Sequence, residues 1–198
     1  MAVLQHEREQ KSAALLELLK SKLASHIISS RITLGDAEVH IRREGMLDFF
    51  GLLKLDSELR FEMLMSVTAV DWLDEREDRF EVVYHLLSLT HLHRLRIKIA
   101  ASETEPVVES VVSLWESANF LERECHDMYG IRFNGNPDHR RILMYEEFEG
   151  YPLRKDYPVQ GKQPRVKLRY PEVENTARHM IRPTLVQIGK GRNGAQHS

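Results

Sequence analysis

Cysteine is almost absent from the 198-residue chain, which holds one, Cys125. A single thiol permits no internal disulfide and suits a reducing cytosol. It also falls short of the four thiolates that an iron–sulfur cluster takes, and of a cysteine-built zinc finger or ribbon. No G-x-x-x-x-G-K-[ST], G-x-S-x-G or H-E-x-x-H occurs, so no motif marks a P-loop or a hydrolytic nucleophile; a lone G-x-G-x-x-G is present at residues 189–194 (GKGRNG), in the basic tail. Long apolar runs are missing as well. No window approaches roughly 18 uncharged apolar residues, and the best run, residues 82–90, is strand-sized and carries His85. Neither sign of charge dominates: 28 Lys and Arg against 30 Asp and Glu leave −2, with ten histidines. Such a chain has no global field for nucleic acid or anionic lipid. The N-terminus lacks an apolar run after a basic start and carries Glu7, Glu9 and Glu17. It reads as neither a signal peptide nor an acid-poor transit peptide, and the chain is expected to stay in the compartment where it is made.

What is present is an ordinary globular composition, 42% apolar, on a length that supports one domain with a tail. Disorder throughout is excluded by the leucine, valine and isoleucine content. Residues 5–27 read as an amphipathic helix, with Leu15, Leu18 or Leu19, Leu23 and Ile27 at spacings of three or four. Gly35-Asp36 breaks that pattern and residues 37–42 alternate like a half-buried strand. Gly45 opens a second helix carrying Leu47, Phe50 and Leu53 or Leu55. Residues 59–70 are expected to form a short helix running into a strand near Ser66 to Asp71. The strongest β signal follows: residues 79–90 and 94–100, joined around His91-Leu92, predict an antiparallel hairpin with one solvated or partner-facing side. Pro106 sits where a first-turn proline belongs, so the valine stripe up to Trp115 predicts a helix. Another helix is expected from about Asn119 to Gly130, a C′ glycine.

Beyond Gly130 the texture changes. Pro137, Pro152, Pro158 and Pro164 with Gly135, Gly150 and Gly161 punctuate a stretch that still holds Phe133, Leu143, Tyr145, Phe148, Tyr151 and Tyr157. Disordered linkers rarely carry so many aromatics, so an extended arm that lies on a surface is the better reading. The organisation expected is an α/β domain over residues 1–130, an arm over 131–171 and a polar basic tail over 172–198. From Gln160 onward eight Lys and Arg face two Glu, so the tail region is +6 and residues 1–159 carry −8.

Four clusters compete as sites. His91 and His93, with His85 nearby, share an H-x-H that could aim two imidazoles one way. No further ligand is evident, and exposed hairpin histidines are the favoured reading. Cys125-His126 places a base beside a thiol, yet helix neighbours diverge by about 100°, so a packed structural thiol is preferred. Glu122, Arg123, Glu124 and Asp127 put three carboxylates within six residues of one helix. Arg140, Arg141 and Arg154 downstream are natural counter-charges, and an ion-pair lattice fastening arm to helix is preferred over acid–base chemistry. Arg94, Arg96 and Lys98 share a strand face like a nucleic-acid platform, but lack the interleaved aromatics for stacking. A solvated or partner-facing strand is the reading kept.

The segment from Leu121 to Leu143, LERECHDMYGIRFNGNPDHRRIL, closely resembles the signature of the 30-kDa subunit of respiratory complex I, the proton-translocating NADH:quinone oxidoreductase. The likeness extends through residues 67–72 (VTAVDW), 79–89 (RFEVVYHLLSL) and 148–158 (FEGYPLRKDYP), closely over about residues 60–160. Where the family usually shows Gly-His-Pro, this chain has Gly135-Asn136-Pro137 and Gly150-Tyr151-Pro152. The resemblance implies an α+β fold (an α/β sandwich): a mixed, largely antiparallel sheet packed with helices and followed by the arm. It implies a non-catalytic structural subunit of the membrane-extrinsic quinone-reducing module, with no catalytic, cofactor or metal residues of its own. FMN, Fe-S clusters and quinone are then held by partner subunits. The contact implied is with the 49-kDa-type subunit and its neighbours in the quinone module, peripherally on the cytoplasmic face of the bacterial inner membrane. Glu122, Arg123, Glu124 and Asp127 would anchor the arm, and Arg140, Arg141, Arg154, Lys155 and Asp156 would carry arm and interface contacts. Two other readings stay open. One is the equivalent subunit of a membrane-bound hydrogenase or a cofactor-F420 or ferredoxin-linked dehydrogenase. The other is a free-standing metal-dependent enzyme using His85, His91 and His93.

Overall fold

The computed structural model describes residues 2–160 and 163, so the tail expected over residues 172–198 lies outside the described residues. The chain runs α1 (Ala2–Leu23), β1 (Ile27–Thr33), β2 (Asp36–Ile41), α2 (Met46–Leu55), β3 (Met63–Asp71), β4 (Phe80–Leu87), β5 (Arg94–Ala101), β6 (Val107–Glu109), α3 (Ala118–Tyr129) and β7 (Arg132–Asn134). The first five strands form one sheet in the order β1-β2-β5-β4-β3. The β2–β5 pair is parallel and the other three are antiparallel, the mixed and largely antiparallel sheet expected. Strands β6 and β7 pair in parallel across α3, the crossover a parallel pair requires.

Side chains alternate along a strand. Val39 and Ile41 of β2, Ile97 and Ile99 of β5, and Val82 and Tyr84 of β4 therefore point together into the core. There they meet Leu15, Leu16, Leu19 and Leu23 of α1 and Phe49, Phe50 and Leu53 of α2. Phe50 lies 4.9 Å from Tyr84 and 6.0 Å from Trp115, ring centre to ring centre, distances at which tilted aromatic pairs attract. Among the described residues the helices pack on this face.

Three local expectations are corrected. Helix α1 stops at Leu23, and Ile27 opens β1, which hydrophobic periodicity alone did not reveal. Isoleucine and threonine are stiff at χ1 and fit the pleat against β2. The segment after residue 59 holds no helix: β3 runs from Met63, in register with β4 from Met63↔Leu87 onward, with an irregularity at Leu64/Ser66. The valine stripe after Pro106 begins as β6, because Val107–Glu109 finds a partner in Arg132–Asn134 once α3 has turned the chain back. The hairpin of β4 and β5 and the helix ending at Gly130 stand as expected. The chain passes residue 130 without leaving the core, since Ile131 and Phe133 are buried in it.

Candidate functional site

Helix α3 is the base on which residues 137–158 are laid. It ends at Gly130, whose amide closes on the His126 carbonyl at 2.8 Å with φ +76°, an αL cap that favours glycine. A Cβ there would stand 2.5 Å from the Tyr151 ring and 2.6 Å from the Arg154 guanidinium. Glycine is needed for its conformation and for this close approach alike.

Asp127, fully buried on α3, organises the first half of the arm. Its Oδ2 accepts the backbone amides of Ile142, Leu143 and Met144 at 3.1, 2.8 and 2.9 Å, and its Oδ1 accepts Arg141 Nη1 at 2.6 Å. Successive amides converging on one anion form a concave anion nest. Burial by itself would raise the Asp127 pKa, but the Met144 amide, Arg141 and the Leu143 and Ile142 amides outweigh it and hold the carboxyl below its usual range. Arg141 also donates to the Phe148 and Gly150 carbonyls, both at 3.1 Å, and lies against the Phe148 and Tyr151 rings.

A second anchor comes from the β3–β4 end of the sheet. Buried Arg79 grips Asp71 through two parallel hydrogen bonds of 2.9 Å, the bidentate geometry that suits a guanidinium. Asp71 also accepts the Lys155 amide at 2.8 Å, and Arg79 pairs with Asp156 at 2.9 Å and Glu103 at 2.6 Å. Lys155 Nζ reaches Glu75 at 2.7 Å. Arg154 donates to the Tyr129 carbonyl at 2.6 Å and stacks near Tyr151 and Phe80, 4.6 and 5.0 Å from their ring centres. The Leu153 amide closes on the Met128 carbonyl at 3.1 Å.

The charge lattice expected between helix and arm is only partly an ion-pair lattice. Among the described residues, Arg141 with Asp127 is the pair that joins an α3 carboxylate to an arm guanidinium. Glu122 is fully buried and meets neutral donors instead: Ser110 Oγ at 2.7 Å, Asn136 Nδ2 at 2.7 Å and the Val111 amide at 2.8 Å. Burial is the largest influence on it and leaves its pKa raised despite those bonds. Glu122 thus ties α3 to the segments flanking β6 and β7. Arg123 reaches Asp138 at 3.2 Å and the Arg140 and Arg141 carbonyls at 3.0 and 3.2 Å. Arg140 is exposed and pairs with Asp138 two residues before it, at 2.8 Å, while Glu124 lies exposed on the outer side of α3. Sequence reasoning missed Asp71 and Arg79. Both sit at ends of apolar strands, a visible oddity, but their pairing needs the hairpin to close.

The other candidates are dispersed. His91 and His93 stack at 5.8 Å, while His85 is engaged at both ring nitrogens, by Ser66 at 2.8 Å and Arg96 at 3.0 Å. Among the described residues no group of three or more His, Cys, Asp or Glu is placed to hold a metal ion. Cys125 is buried, and burial pushes its thiol well above the usual pKa, the opposite of an activated nucleophile.

Residues 39–163 match a family model described as "Respiratory-chain NADH dehydrogenase, 30 Kd subunit". The chain belongs to this family. The match contains both arm anchors and all nine charged residues singled out from the sequence, and leaves α1 and β1 outside. An NADH-quinone oxidoreductase subunit of Roseiflexus sp. (strain RS-1) is 45% identical over 152 residues, covering 77% of this chain and 87% of the relative. The protein of the same name from Geobacter sulfurreducens is 43% identical over 143 residues, covering 72% and 87%. Among solved structures, a trypsin-resistant fragment (1-134) of Nqo5 matches with 32% identity and a TM-score of 0.55, over 64% of this chain and 97% of the fragment. A chain in the structure of the membrane-bound sulfane sulfur reductase, an archaeal respiratory membrane complex, matches with a TM-score of 0.63, over 76% and 87% of the two chains. At 22% identity that second likeness shows the 30-kDa-subunit fold alone and does not carry the hydrogenase-type reading.

Proposed function

We propose that the chain is a structural subunit of an NADH-quinone oxidoreductase, without chemistry of its own, seated in the quinone-reducing module against the 49-kDa-type subunit. FMN, Fe-S clusters and quinone belong to the neighbouring subunits, and the chain is held on the cytoplasmic face of the bacterial inner membrane by them. Among the described residues no helix is long and apolar enough to cross a membrane. One observation supports the assembly role above others. The arm is fixed in shape by Asp127, Asp71 and Arg79, yet it turns apolar side chains outward, with Leu143 57% and Leu153 53% exposed. A segment whose polar groups are satisfied inward while its apolar groups face out has the composition of an interface held ready for a partner. Glu122, Arg123 and Asp127 set its path; Arg140, Arg141, Arg154, Lys155 and Asp156 hold or flank its contact surface.

The test is recovery of the tagged chain from mildly solubilised membranes, followed by a native gel stained for NADH dehydrogenase activity. A large NADH-oxidising assembly containing flavin and iron is expected, with Arg141→Ala and Arg154→Ala lowering its yield. A lone 23 kDa chain, or full assembly and quinone reduction with both substitutions present, contradicts the reading.

A further inference from the structure

The face of the five-stranded sheet that the helices leave open carries a row of polar side chains spanning every strand. The registers align Arg31 of β1, Glu38 of β2, Arg96 of β5, His85 of β4 and Ser66 of β3. They are joined in that order: Arg31 Nε donates to Glu38 at 2.8 Å, Arg96 Nη1 to Glu38 at 3.1 Å and Arg96 Nε to His85 Nε2 at 3.0 Å, and His85 Nδ1 meets Ser66 Oγ at 2.8 Å. The direction of the row follows from its chemistry. A guanidinium only donates, so His85 Nε2 must accept, which puts the ring proton on Nδ1 and aims it at the Ser66 oxygen. Burial first, and then the Arg96 charge, lower the His85 pKa and keep the ring in this neutral form. The Ser66 hydroxyl is left with its own hydrogen to give.

That hydrogen belongs to a cleft of about 310 Å³ at the end of the row. Met65, 42% exposed, supplies its apolar wall, and Arg94 and Arg96 stand over it. Asp36 at its rim is taken by Arg8 at 2.6 Å. On the face itself the buried acids Glu38 and Glu81 are met by Arg31, Arg76, Arg96 and Lys98, and exposed Arg94 adds a fifth cation. Five cations against two acids leave +3 here, whereas residues 1–159 together carry −8. The face is a positive island on an acidic domain, and the Trp72 ring that follows β3 is covered by the Arg76 guanidinium 3.9 Å from its centre rather than offered to a nucleic-acid base.

We infer that this open sheet face docks an acidic segment of a neighbouring protein, one carboxylate of which is received by Arg94 and Ser66 while an adjoining apolar side chain fills the cleft against Met65. The surface is separate from the arm and rests on the reading of the chain as a subunit. In such contacts a few well-packed anchors carry most of the affinity, and charge complementarity fixes partner choice and register.

A photo-reactive phenylalanine analogue in place of Met65, in the full chain within its membrane assembly, tests this directly. The expected product is a crosslink to a peptide of another subunit rich in Asp and Glu. Crosslinks confined to lipid, nucleic acid or this chain, or none at all in an assembly that still stains for NADH dehydrogenase, overturn the inference and leave the subunit reading standing. Failure of the chain to enter any assembly removes both. Arg94→Glu leaves the polar row intact, and its assembly is expected to lose the chain roughly three- to ten-fold more readily as salt is raised, with Arg94→Lys restoring most of the retention. An unchanged salt profile for Arg94→Glu counts against the docking site.

Discussion

Two carboxylates on one helix, Glu122 and Asp127, are both fully buried; burial raises the pKa of each and their partners lower it, but burial wins at Glu122 and the partners win at Asp127. Asp127 has a guanidinium and three amides. Its folded pKa lies below the ordinary 3.8, so its stabilising contribution is complete above that pH and is lost as the pH falls through the lowered value. Glu122 has only neutral donors, and its folded pKa lies above 4.5. Its contribution is therefore complete below about pH 4.5 and is lost as the pH rises through the raised value. Glu122→Gln replaces one acceptor by an amide donor facing either the Val111 N–H or the Ser110 and Asn136 pair. The expected cost is about 1–3 kcal/mol, read by urea unfolding. Because glutamine does not titrate, the deficit should be largest near pH 4 and shrink towards pH 8. A deficit that grows over that range contradicts this account.

At the scale of elements, the unit β6-α3-β7 decides where the arm starts. Its parallel pair is only three residues long on each side, so its position depends on α3 and on the Glu122 bonds to Ser110 and Asn136. The Gly130 cap then hands the chain back to the body of the domain. Gly130→Ala places a methyl group in a left-handed conformation and against Tyr151 and Arg154. An expected loss of about 1–3 kcal/mol should be local. Hydrogen exchange should show faster amides at Leu153 and Lys155, which bond to Met128 and Asp71, with β4 unchanged. Global loss of protection, or none, argues against Gly130 acting as the hinge between helix and arm.

For the whole molecule, the sheet separates two surfaces. One face is sealed by helices; the other is open and positive, and the arm presents a third, apolar surface at the α3 side. Among the described residues no helix is long and apolar enough to cross a membrane, and the proposed attachment through other subunits has a direct test. Membranes carrying the assembly should release the chain on an alkaline carbonate wash that leaves integral subunits behind. Retention of the chain after that wash contradicts attachment through partners.

The sequence by itself determined the elements with strong periodicity and clear punctuation, the β4–β5 hairpin and helix α3 with its Gly130 cap, and its single cysteine excluded a thiolate cluster. Its long motifs determined the family, and the aromatic, proline-punctuated stretch marked the arm. Only the tertiary structure decided that the valines after Pro106 open a strand, because a parallel partner arrives only after a helix has reversed the chain. It alone paired Asp71 with Arg79 under the arm and aligned Arg31, Glu38, Arg96, His85 and Ser66 across five strands. Local propensity acts over a few residues and is legible in order along the chain. Charge pairing between residues tens of positions apart depends on strand register and on how desolvated each group becomes, and both exist only once the sheet has closed.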